Sequence, residues 1–157
     1  MPGPLRALLD SPDFPEGERW RRRRFEAGEV ILREGDLTPD LYVVLTGSVR
    51  VTGTVAVEAQ RVVHPAFCDL GAEEVFGELC LFDDQPRSAS VTALTDCEVA
   101  VVPGRQLMDF LDAHPERGYP VLRSIIQILV DRLRTANRRF VSVFAWGLRA
   151  HRIDQHL

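Results

Sequence analysis

Between Phe25 and Val102 the chain is cut into short extended pieces, and this constrains its fold more than any other feature. Val30-Ile31-Leu32 is followed by the turn Glu34-Gly35-Asp36. Leu41 to Leu45 is closed by Thr46-Gly47-Ser48. Val49 and Val51 alternate with polar residues, and Gly53 is a turn or bulge before Val55 and Val57. Arg61 to Leu70 is extended, but His64-Pro65 must break it or place it at an edge. Glu74-Val75-Phe76, Ser90 to Leu94 and Glu98 to Val102 complete the set. Strands at a spacing of roughly eight to twelve residues with glycine turns predict a β-roll or sandwich.

The period changes after Val102-Pro103-Gly104. Arg105 to His114 is a short helix that must stop before Pro115, since proline disfavours a helical residue ahead of it. A long helix follows from Glu116 to Trp146, with Gly147 as its expected stop. Leu122, Ile126, Leu129, Leu133, Ala136, Phe140 and Val143 form a heptad seam along it. Ile125, Ile128, Val130, Val141 and Phe144 widen the apolar face beyond one stripe. The two outcomes are a homodimer through residues 116–146 and a broad face packed on the domain's own roll, and the width of the face favours the dimer. Ahead of the roll, Leu5 to Leu9 is a short helix. Arg21 to Arg24 is a solvated rim leading into the first strand, with a nucleic-acid patch as the alternative.

The stretch from Phe76 to Val91 carries chemistry. Gly77 allows close approach of backbone to a ligand, and Glu78 to Phe82 is long enough for one helical turn with free amides at its head. Nine residues after Glu78 comes Arg87, a planar fork suited to phosphate, with Ser88 beside it. Glu78 only accepts hydrogen bonds, so it suits a sugar hydroxyl. Together these groups describe a pocket for a phosphorylated ribose. The plain alternative is a surface ion pair between Glu78 and Arg87, contributing about 0–1 kcal/mol.

With Phe76, Gly77, Glu78, Leu79, Leu81, Pro86, Arg87, Ala89 and Val91 in place, the stretch resembles the phosphate-binding cassette of cyclic nucleotide-binding domains. The similarity extends over about residues 23–140, through Glu29 to Asp36 and Leu41 to Val49. It implies an eight-stranded antiparallel jelly roll followed by a hinge helix and a long C-terminal helix. The whole is then one domain: an N-terminal helical segment at 1–24, a roll at 25–103, helices at 104–147 and a tail at 148–157. It further implies that cAMP or cGMP binds at Gly77, Glu78, Leu79, Cys80, Arg87, Ser88 and Ala89. In related activators the long helix touches the base with a Thr-Ser pair, where this chain has Ala136 and Asn137. Asn137 is therefore a base contact or a polar register-setter in the seam, and Arg134 or Arg138 could stack on the base instead. The chain departs from the family's Gly-Asp-x-Phe-Gly-Glu, reading Glu73-Glu74-Val75-Phe76-Gly77-Glu78.

Composition removes several other functions. All 19 basic residues are arginine, so no P-loop or Schiff-base lysine exists. A net charge of −4 argues against a general nucleic-acid binder. Cys68, Cys80 and Cys97 have no metal-ligand spacing and read as reduced thiols of a cytoplasmic, bacterial-type protein. No membrane-length apolar run occurs, and no catalytic cofactor, metal set or nucleophile–base spacing points to an enzyme. Ten residues follow Gly147, too few for a helix-turn-helix domain. The expectation is a stand-alone cyclic nucleotide receptor that signals through its C-terminal helix to a protein partner. A nucleotide-independent dimeric scaffold is the alternative.

Overall fold

Five consecutive apolar residues, Leu41 to Leu45, are buried on one strand because both of its faces are covered. Tyr42 and Val44 face the interior of a β-roll; Leu41, Val43 and Leu45 face a layer of helices. The computed structural model describes residues 2–151. Its elements are α1 (Pro4–Leu9), β1 (Arg21–Phe25), β2 (Val30–Leu32), β3 (Asp40–Thr46), β4 (Val49–Thr52), β5 (Val55–Glu58), β6 (Arg61–Val63), β7 (Ala66–Leu70), β8 (Val75–Phe76), β9 (Ser90–Ala93), β10 (Cys97–Pro103), α2 (Gly104–Ala113) and α3 (Pro115–His151).

Eight strands form two four-stranded antiparallel sheets, in the orders β1-β10-β3-β8 and β2-β9-β4-β7. They make the jelly roll. β5 and β6 form a separate hairpin outside the eight-stranded roll. Gly53 ends β4, and His64-Pro65 divides β6 from β7.

The roll begins earlier than the sequence suggested. Arg21 to Arg24 belong to β1, not to a helical segment ending at residue 24. β1 is an edge strand, where charge blocks pairing with another chain. Arg22 binds Glu16 and Glu98, each at 3.2 Å, and Arg23 lies over the Phe25 ring at 4.9 Å, so this is a rim with internal partners.

The second core joins the outer face of β3 and β10 to α1, α2 and the first turns of α3. Leu8, Phe14, Leu107, Leu111, Val121 and Ile125 fill it. α3 runs past Gly147 to His151, which corrects the expected stop. Gly147 does not adopt a positive φ, and a glycine inside a helix costs only about 1 kcal/mol relative to alanine. Residues 148–151 of the expected tail are thus helical, and 152–157 lie outside the described residues.

The seam on α3 divides. Leu122 and Leu129 pack against the core, whereas Ile126, Leu133, Ala136, Phe140 and Val143 are exposed, with Val130 and Phe144 also in solvent. The expected seam is therefore shared between the core and solvent. A 3.6-residue helix that keeps one face on a roll must present a different face outward.

Candidate functional site

The cassette starts where β8 ends. Gly77 has φ 74°, and a Cβ there would sit 2.9 Å from Arg87 Nη1 and 3.1 Å from the Asp40 carbonyl. Both the backbone angle and the space demand glycine. A 3-10 turn, Glu78–Leu81, follows at once. The chain returns through Arg87, whose backbone is tied to the loop before β3: its N–H donates to the Asp36 carbonyl at 2.8 Å, and its carbonyl accepts from Gly35 N–H at 2.9 Å.

Glu78 and Arg87 are the buried charged side chains among the described residues, at 5% and 8% exposure. They do not pair with each other, which removes the surface ion-pair alternative. Arg87 donates through Nε to Thr38 Oγ1 at 3.1 Å, through Nη1 to the Gly77 carbonyl at 3.1 Å and through Nη2 to the Asp40 carbonyl. Three of its five N–H groups are used and two remain for a ligand. The guanidinium lies 5.9 Å from the Tyr42 ring, which stacks on Phe76 at 5.0 Å. Burial pushes the Tyr42 hydroxyl above its ordinary pKa, with Asp40 acting in the same direction and Arg87 opposing.

Glu78 takes its partner from the long helix. Arg132 on α3 donates to the Glu78 carboxylate and to the Val75 carbonyl. Sequence reasoning passed over Arg132 in favour of Arg134 and Arg138. A signal was present: Gly118, Ile125 and Arg132 lie seven residues apart on the roll-facing stripe. A charged residue in the third place of such a stripe implies a partner on the roll.

The other expected residues divide. Leu79 is exposed, Ser88 is exposed and Ala89 is half-buried beside Arg87. The Cys80 amide already donates to the Gly77 carbonyl at 3.4 Å, so the amides left at the head of the turn are those of Glu78 and Leu79. Burial pushes the Cys80 thiol up, against the opposing charge of Arg87. Asn137 does not join the group. It lies five residues beyond Arg132, about 140° round the helix, beside the exposed stripe. Val51 and Cys68, paired across β4 and β7, pack on the inner core next to the site. Two surface grooves of about 340 and 270 Å³ flank Tyr119, and neither is lined by Glu78 or Arg87.

Chemically the site offers an anion a buried guanidinium and two amides, and offers a hydroxyl a carboxylate acceptor. No helix among the described residues is long and apolar enough to cross a membrane. Comparison with known proteins bears on the family and the fold. The cyclic AMP receptor protein of Thermus thermophilus is 31% identical over 118 residues, 75% of this chain and 51% of that protein. The CRP-like cAMP-activated global transcriptional regulator of Mycobacterium tuberculosis is 25% identical over 119 residues, 76% of this chain and 50% of that protein. The chain thus spans about half the length of these curated relatives. A cyclic nucleotide-binding domain from Methylobacillus flagellatus superposes with a TM-score of 0.69 at 28% identity, covering 78% of this chain and 67% of that one. The model of the cyclic nucleotide-binding domain matches residues 22–114, which span the roll, the cassette and the hinge helix, and the chain belongs to that family.

Proposed function

We propose that the protein is a bacterial, cytoplasmic regulatory receptor for a cyclic purine nucleotide, cAMP or cGMP, and not an enzyme. The phosphate lies against Arg87 and the amides of Glu78 and Leu79, and the ribose 2′-hydroxyl donates to Glu78. The observation that carries this reading is the pair of buried charges, Glu78 and Arg87, held side by side yet bound to different partners. A structural ion pair would satisfy both in one contact. Here an acceptor and a donor are presented separately, as a hydroxyl and a phosphate on one ligand require.

The relay starts at the same residues. Glu78 is bonded to Arg132 of α3, so a ribose hydroxyl must share or displace that contact. The head of α2 sits on the turn as well: a Cβ on Gly104 would lie 3.2 Å from Leu81 and 3.5 Å from Cys80 Sγ. Any inward shift of the cassette is felt by both helices. α3 then carries the signal to a second copy through its exposed stripe, and to a protein partner. The competing scaffold reading draws on one fact, that Arg87 and Glu78 already have hydrogen-bond partners within the chain.

Calorimetry separates the two. cAMP or cGMP should release heat on binding and 5′-AMP should bind far more weakly. Arg87→Ala should weaken binding by roughly tenfold to a hundredfold or more, the range expected for a charge-assisted hydrogen bond. No heat at millimolar cyclic nucleotide would leave the scaffold.

A further inference from the structure

α3 turns two arginines toward the roll. Arg132 holds Glu78, and Arg139 follows seven residues later, two turns and about 10 Å along the same face. Opposite them stand Val51 and Cys68 on the inner side of the β2-β9-β4-β7 sheet. Burial raises the Cys68 thiol, and the charges of Arg132 and then Arg139 oppose that rise, in keeping with their shared face on the helix. Arg134 and Arg138 occupy other faces of the helix, and Arg138 bonds Thr135 Oγ1 at 3.2 Å. Arg139 is exposed and, among the described residues, makes no side-chain hydrogen bond or ion pair.

The inference rests on the receptor reading above. With phosphate at Arg87 and ribose at Glu78, the base continues from the ribose between the Val51–Cys68 wall and α3. Asn137 faces away from that space and Thr135 is engaged by Arg138, which leaves Arg139 as the polar group of this face, unpartnered among the described residues, to meet the base edge. An arginine offers donors only. The guanine edge presents two acceptors, O6 and N7, whereas adenine places its 6-amino donor where O6 would be. A fork of N–H groups thus fits guanine twice and meets a donor on adenine. We infer that Arg139 is the specificity-determining residue of the pocket and that it selects a guanine-type base, making cGMP the preferred ligand over cAMP.

The test is calorimetry with cGMP, cAMP and inosine 3′,5′-cyclic monophosphate, which keeps O6 and N7 but lacks the 2-amino group. The unmodified protein should bind the guanosine and inosine ligands alike, each about tenfold or more tighter than cAMP. Arg139→Ala should bring the cGMP-to-cAMP affinity ratio to about one, and Arg139→Lys should restore part of it. Thermal melts of each variant establish that it is folded. Equal or tighter binding of cAMP to the unmodified protein, or an unchanged ratio in Arg139→Ala, overturns the inference and leaves the receptor reading standing. Absence of binding by all three ligands overturns the receptor reading, and this inference with it.

Discussion

The two halves of α3 are written in nearly the same alphabet and meet opposite fates. From Pro115 to Arg132 the helix has an owner for its apolar stripe: Val121 and Ile125 are at 2% and 0% exposure against α2 and the roll. From Leu133 to Trp146 the large apolar side chains are in solvent, with Leu133 at 62% and Phe140 at 71%. Phe140 and Phe144 stack on each other, 6.3 Å apart, for want of another neighbour. Arg132 marks the boundary, as the last residue of the helix that bonds to the roll among the described residues. Helical periodicity thus reports that a face is apolar, not what covers it. The first half is covered within the chain, and the second half presents the kind of contiguous patch that marks an interface.

The largest expected effect comes from treating the halves separately. Leu133→Glu with Phe140→Glu should convert a dimer into a folded monomer, since it would bury several unpaired charges in the contact at about 3–5 kcal/mol each. Ile125→Ala should do the reverse. It should leave the dimer contact intact while lowering the stability of the fold by about 2–5 kcal/mol, the usual cost of a cavity at a fully buried site. Sedimentation and thermal melts of both variants give a two-by-two outcome. A monomeric unmodified protein, or a dimer lost in Ile125→Ala at temperatures where it is folded, would end the division drawn here.

A smaller effect sharpens where the halves join. Ligand can shift α3 only if it binds one helix position better than another. Glu78 offers that difference through Arg132, and Gly104 through its contact with the cassette turn. Hydrogen exchange with and without cyclic nucleotide should therefore change protection in residues 104–132 first, with a weaker change in 133–146 transmitted along the helix. Changes confined to residues 76–91 would mean that the ligand is bound without being relayed.

The sequence made the roll legible because strands and turns alternate locally: Gly47, Gly53 and Pro65 all end or divide strands where they were expected to. The turn that carries the candidate residues was legible for the same reason: Gly77 and Arg87 lie in one short stretch and meet in space, with Glu78 next to Gly77 in the chain. What escaped was non-local. Arg132 is 54 residues from Glu78, and no local pattern announces a contact that depends on how α3 lies across the roll. The loss of Leu122 and Leu129 from the exposed seam has the same origin, because both go to a core assembled from α1, α2 and β3. The edge strand of four arginines was obscured by composition: its strand character comes from pairing with β10, not from its own side chains.

Gly147 provides the smallest and most exact discrimination, because the sign of the effect is at stake. Read from sequence, it is a stop for α3, a residue in left-handed conformation where alanine would be strained. In the structure it is inside the helix without a positive φ, and nothing lies within 4 Å of where its Cβ would be. Gly147→Ala should then stabilise the distal half of α3 by about 1 kcal/mol, by removing backbone freedom in the unfolded chain. Circular dichroism at 222 nm should deepen slightly, and amides of residues 143–151 should exchange more slowly. A stop would give the opposite sign, with alanine fraying the same residues. Slower exchange would place the exposed apolar stripe on a continuous helix through His151; faster exchange would cut it short at Trp146.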